Sequence, residues 1–186
     1  MCHYITSVVP NNTNLEELQR ILESYNLGFD EIMNPSISRQ ISIHYKYFRP
    51  TTGTCDCGTE LGRLNYYKRE SHDSTKTLAL KLSKKGWSKS KIDRWIEEKD
   101  KNQSKHDRKF EYLKNTNSTE TKFWIDFIHN ILSSNITNEF GLLLHWYDKS
   151  LESNFLLKGI SKVKFAEGSD FFFDEVEEDI LYIFSK

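Results

Sequence analysis

The sequence has few of the residues that brace or bend a chain. Among its 186 residues are three cysteines, three prolines and eight glycines. An odd cysteine count argues against a disulfide framework, so we expect the thiols to be reduced or to bind metal. A chain of this length buries roughly two-thirds of its unfolded surface on folding. Neither metal nor disulfide is therefore required merely to fold.

Long apolar runs are also absent. No stretch approaches the ~18 apolar residues that cross a bilayer. The first residues lack a basic segment followed by an apolar one, the pattern of a secretory signal. We therefore expect a cytoplasmic protein without membrane contact.

Positive and negative charges nearly cancel over the whole chain, but they are unevenly distributed along it. The net charge is −1, yet residues 74–114 contain 13 Lys and Arg against 6 Asp and Glu. A basic middle with acidic flanks indicates either an acidic partner such as nucleic acid or attraction between segments of the same fold.

The hydrophobic pattern alternates between the strand and helix periods. Strands are predicted over 3–9 by β-branched residues, over 41–47 by period-two alternation and over 140–147 by a nearly continuous apolar run, with shorter candidates over 162–165 and 180–184. Apolar spacing of three and four residues predicts helices over 15–27, 75–96 and 120–132. We expect one α+β domain over 1–186. Its sheet is mixed or antiparallel, with about four to six strands and helices packed on at least one face, and a helical insertion occupies 74–134.

Residues 47–62 contain two of the three cysteines and three of the eight glycines. Pro50 cannot donate to a strand ladder, so it should end the strand before it. Cys55 and Cys57 point to opposite sides of an extended backbone. They share one side only if Asp56 lies in a turn, and only then do they form a shared site.

A metal site follows if the strands over 3–9 and 42–49 are antiparallel neighbours. Cys2, His3, Cys55 and Cys57 would then lie together and supply the four sulfur or nitrogen ligands of tetrahedral zinc. A strand-helix-strand crossover would instead make the strands parallel and separate Cys2 from the loop. The thiols would then act as small buried hydrophobes.

Cys2 is also a candidate nucleophile. The Met1-Cys2 start resembles that of the N-terminal-cysteine amidotransferases and of proteins that trap abasic DNA through a terminal cysteine. The resemblance implies a processed chain in which Cys2 carries both a thiol and an α-amine of pKa near ~8. Both families place glycine after the cysteine, where this chain has His3.

His145 is the remaining catalytic candidate. It shares a strand face with Leu143 and Tyr147, as a core histidine would. As a base it would need Cys55 or Cys57 nearby, and an acid such as Asp56 to orient it. An enzyme built this way would be a cysteine-nucleophile or zinc-dependent hydrolase.

The run 82–95 resembles a helix-turn-helix unit, with Gly86 in the turn and Ser88 opening the second helix. This resemblance implies nucleic-acid binding by the basic helix pair 78–96, with side chains facing phosphates or base edges at Lys89, Ser90, Lys91 and Arg94. A plain helix hairpin produces the same spacing.

The balance of residues favours a non-enzymatic cytosolic binding protein with an accessory, inhibitory or regulatory role, acting through contacts with a protein partner. Two alternatives stay open: a thiol or zinc site built from Cys2, Cys55 and Cys57 with a histidine, and nucleic-acid binding through 78–96.

Overall fold

The computed structural model describes residues 2–63, 65, 75–115, 119–147, 150–165 and 176–186. It confirms an α+β fold with helices and an open, mixed six-stranded sheet. The chain groups into two compact units, residues 1–62 with 118–186, and residues 63–117. None of the described helices combines the length and apolar character needed to cross a membrane.

The sheet belongs to the first unit, and its strand order is β2-β3-β1-β4-β6-β5. All neighbouring pairs are antiparallel except β5 and β6, which are parallel. The strands are β1 Cys2–Pro10, β2 Asp30–Glu31, β3 Tyr45–Arg49, β4 Glu139–Tyr147, β5 Gly159–Lys164 and β6 Ile180–Ser185.

Helices α1 (Leu15–Ser24) and α5 (Thr119–Ser133) cover one face of the sheet. On β1 that face presents Ile5 and Val9, because alternate side chains of a strand point to opposite sides. The helices contribute a cluster rich in aromatic side chains, including Phe127, which is fully buried.

The other face carries Val8 and Tyr47 and is covered by a short helix, α2 (Pro35–Ser38), and the segment 151–157. The predicted strand over 41–47 begins later than expected, at Tyr45. Ile41 is buried in the turn after α2 and Ile43 is 81% exposed, so the apparent alternation comes from an irregular segment.

The second unit contains a helix pair, α3 (Thr75–Lys84) and α4 (Lys89–Asn115). Gly86 adopts a φ of 82° in the connection, where a side chain would be strained. The predicted insertion boundary of 74–134 stays a prediction, although α5 packs in the core of the sheet unit.

Candidate metal centre

The site begins where the β1–β3 ladder ends. Ser7 lies opposite Phe48, so extending the register by two residues places Ile5 opposite Pro50. β3 ends at Arg49, as expected for a strand followed by proline. The first residues of β1 therefore need other hydrogen-bond partners on this side.

Asp56 supplies two of those partners. Its backbone N–H donates to the carbonyl of His3 at 2.8 Å, and its Oδ2 accepts the backbone N–H of Ile5 at 2.8 Å. Thr51 Oγ1 also donates to Oδ2, at 3.0 Å, and the Arg49 guanidinium lies 3.6 Å away. Burial raises the pKa of the Asp56 carboxyl, against the lowering effect of these donors. The loop is thereby fixed to β1 by a buried carboxylate.

Gly62 allows the loop to close on itself. A Cβ at this position would lie 2.1 Å from the carbonyl oxygen of Asp56, closer than any real contact. The same oxygen accepts the Thr59 hydroxyl at 2.6 Å, and the N–H of Gly62 donates to that hydroxyl oxygen at 3.0 Å. Only glycine fits here without displacing Asp56.

The turned backbone at Asp56 brings the three thiols together. The sulfurs of Cys2, Cys55 and Cys57 all lie within 4.8 Å of one another, and all three residues are partly exposed. Sulfurs bound to one zinc at ~2.3 Å are about 3.8 Å apart in a tetrahedron. A contraction of about 1 Å or less, within the reach of χ1 rotation, would let the cluster hold a metal ion.

The loop also changes the pKa values of its two thiols. The backbone N–H of Cys57, together with the thiols of Cys57 and Cys2, lowers the pKa of the Cys55 thiol. Burial and the neighbouring Cys55 sulfur raise the pKa of Cys57 to about 11, although its sulfur accepts the backbone N–H of His3 at 3.2 Å. Cys55 therefore loses its proton at a lower pH than Cys57, whose proton a metal would have to displace.

His3, predicted as the fourth ligand, is not brought into the cluster. Its backbone lies beside Cys57, but its ring points to the helical face of the sheet, shared with Ile5. There Nε2 lies 2.6 Å from Glu178 Oε1, and the ring contacts the edge of Trp146. The ring is fully buried, and Nδ1 has no hydrogen-bond partner among the residues that the structure describes.

His145 lies on the same sheet face as Cys2 but apart from the thiols. In the register Tyr4 is opposite His145 and Cys2 is opposite Tyr147. His145 Nδ1 lies 2.5 Å from Asp179 Oδ1, and the ring stacks on Phe155 at 3.5 Å. The structure thus gives His145 a carboxylate partner other than the predicted Asp56.

The candidate nucleic-acid residues lie at the start of α4. Lys89, Ser90, Lys91 and Arg94 are all exposed. Lys91 Nζ sits 4.1 Å from the centre of the Trp87 ring, which gives this ammonium an intramolecular contact. Nucleic-acid binding by these residues stays a prediction.

Sequence reasoning missed the two acids that hold the histidines. Glu178 and Asp179 belong to an acidic run that resembles a solvated turn, but they bind His3 and His145 respectively. Asp179 adopts a φ of 67°, and its oxygen Oδ2 lies 3.2 Å from Lys158 Nζ. Their position in the sequence is the one signal that could have identified them. Both acids directly precede the final strand, where a turn places their side chains beside the end of β4.

Comparison with known proteins gives no family: the chain matches no protein-family model, no curated protein and no solved structure.

Proposed function

We propose that this chain is a zinc-binding protein whose ligands are Cys2, Cys55 and Cys57. The observation that supports the proposal is the convergence of three sulfurs within 4.8 Å, although Cys2 lies more than 50 residues before the other two. These are all the cysteines of the chain. Buried apolar packing does not explain the cluster, because each of the three residues is partly exposed.

Zinc suits this ligand set better than calcium or magnesium, which require oxygen ligands. Metal binding requires thiolates. The lowered pKa of Cys55 favours the thiolate at that residue, whereas the raised pKa of Cys57 means that a metal would have to displace its proton. The anchoring of Asp56 to β1 holds the loop in its binding shape through contacts that do not involve the metal.

The other functions predicted from the sequence stay predictions. These are binding to a protein partner in the cytosol, binding to nucleic acid through 78–96, and hydrolysis with a cysteine nucleophile or a zinc-bound water. The zinc proposal is compatible with each, since a metal site can organise a binding surface or take part in a reaction.

The test is elemental analysis of the full chain purified without added metal or chelator. We expect about one zinc per chain, because structural thiolate sites are normally filled. The variants Cys2→Ser, Cys55→Ser and Cys57→Ser should each reduce the zinc content strongly, whereas Thr54→Ser in the same loop should not. Less than about 0.2 zinc per wild-type chain contradicts the proposal.

A further inference from the structure

Three sulfurs leave one position of a tetrahedral zinc unfilled. The fourth ligand decides whether such a site is closed and structural or open and reactive. Among the described residues, no histidine, aspartate or glutamate joins the three sulfurs as a further ligand atom. The candidates that sequence and register suggest are His3, His145 and Asp56. Each has a definite partner elsewhere.

His3 is excluded by the strand itself. Successive side chains of β1 point to opposite faces, so the ring of His3 lies across the sheet from the sulfur of Cys2. Its Nε2 is paired with Glu178 at 2.6 Å and its ring is fully buried. Bringing either ring nitrogen to the thiols would require β1 to rotate out of its ladder with β4.

His145 is on the correct face but is held in place on several sides. Asp179 fixes Nδ1, Phe155 stacks on the ring at 3.5 Å, and the edge contact with Tyr147 closes another side at 4.3 Å. Asp179 is itself held, because its backbone N–H donates to the carbonyl of Leu144 at 2.9 Å. Moving this ring to the thiols would break the hydrogen bond with Asp179 and the stack on Phe155 together.

Asp56 lies between the two loop cysteines in sequence, but its carboxylate is turned inward. Oδ2 accepts from Ile5 and Thr51, and the residue is only 2% exposed. No further sulfur exists in cysteine form, since all three cysteines of the chain are already in the cluster. A fourth thiolate must come from another molecule.

We propose that the fourth position of the metal is an exchangeable site for a low-molecular-weight thiol. This inference rests on the proposed function. A thiol is favoured over water or a carboxylate because three thiolates already make the metal's environment soft, and sulfur is the ligand class that zinc combines with thiolates in closed sites. The partial exposure of all three cysteines provides access.

Binding exchanges one ligand and releases one proton. The sulfur of the incoming thiol forms a bond to zinc as the bond from zinc to water breaks, and the thiol proton leaves to the solvent. No electron is transferred. The exchange therefore involves no oxidation or reduction. The affinity for the thiol should rise with pH, because its proton is released more easily at higher pH.

Cobalt(II) substituted into the full chain reports the ligand set through its sulfur-to-metal charge-transfer absorption. We expect 2-mercaptoethanol to raise this absorption by about a third, because the number of thiolates increases from three to four. The thioether 2-(methylthio)ethanol, which cannot form a thiolate, should leave the spectrum unchanged. His145→Gln and the control His44→Gln should both keep the wild-type spectrum before thiol is added.

An absorption that does not respond to 2-mercaptoethanol, or one that changes in His145→Gln alone, overturns the inference but leaves the metal site standing. Failure of the chain to bind cobalt or zinc overturns both the inference and the proposed function. A rise in absorption that is reversed by removing the thiol supports the exchangeable position.

Discussion

The carboxylate of Asp56 accepts the backbone N–H of Ile5 at 2.8 Å, at the point along β1 where the ladder with β3 has ended. The side chain of Asp56 thus accepts a backbone hydrogen bond that a neighbouring strand would otherwise accept. Because Cys55 and Cys57 flank this aspartate, their positions depend on one buried hydrogen-bonding group. The thiol site is determined by the residue between the cysteines as well as by the cysteines.

Asp56→Ala should lower the free energy of unfolding by about 1–3 kcal/mol, because the N–H of Ile5 loses its acceptor in a buried setting. Urea unfolding measures the change. Asp126→Ala, at an exposed position of α5, is the matched control and should alter stability by less than about 0.5 kcal/mol. Equal effects of the two substitutions would refute the role assigned to Asp56.

Gly62→Ala should reduce zinc content and stability, because the added Cβ would lie 2.1 Å from the carbonyl oxygen of Asp56 and must displace the loop. Gly58→Ala is a close control. A Cβ at Gly58 meets nothing within 4 Å, so this variant should bind zinc as the wild type does. Zinc analysis and thermal unfolding of both variants test the pair, and loss of zinc from Gly58→Ala as well would show that the loop tolerates no substitution.

In the metal-free protein, iodoacetamide should modify Cys55 before Cys57. The reactive species is the thiolate, and the pKa of Cys55 is lowered while that of Cys57 is raised to about 11. Peptide mass mapping after brief labelling at neutral pH gives the order, and the rate at Cys57 should increase steeply at higher pH. Faster labelling of Cys57 than of Cys55 at neutral pH is the contrary result.

Asp179→Asn should remove part of the acid sensitivity of the fold. Burial alone would raise the pKa of Asp179, but the hydrogen bond from His145 and the Lys158 ammonium outweigh it and the pKa is lowered. The stability from this group is complete above the unfolded pKa of ~3.9 and is lost as pH falls through the lower folded value. The variant keeps a side chain that tolerates positive φ.

The measurement is the free energy of unfolding between about pH 5 and pH 2. The wild type should lose stability more steeply than Asp179→Asn over this range, while Asp126→Asn should follow the wild type. Parallel curves for the wild type and Asp179→Asn would contradict the lowered pKa.

Much of the fold follows from local patterns. The β-branched residues over 3–9 and the apolar run over 140–147 identify β1 and β4, and proline at position 50 sets the end of β3. The thiol cluster required one further condition, the antiparallel pairing of β1 with β3, and the structure meets it. The sequence pattern shows that the cluster depends on this pairing, but it does not show whether the two strands are parallel or antiparallel.

The histidine partners could not be predicted in the same way. His3 and Glu178 are separated by 175 residues, and which face the ring takes depends on the register of β1. The contact between His145 and Asp179 depends on a positive φ that no local preference requires of aspartate. The two histidine contacts are therefore determined by long-range strand pairing and by unusual backbone geometry, which local sequence patterns do not specify.

The thiol cluster joins the first strand to a loop 53 residues later in the chain, from Cys2 to Cys55. A bound metal would therefore act as a cross-link. By the chain-entropy estimate for disulfides, a closed loop of this size restricts the unfolded chain by about 4 kcal/mol. Removing the metal should then loosen β1 first at its beginning, where the β3 ladder is missing, and the order of the central strand would depend on the metal supply.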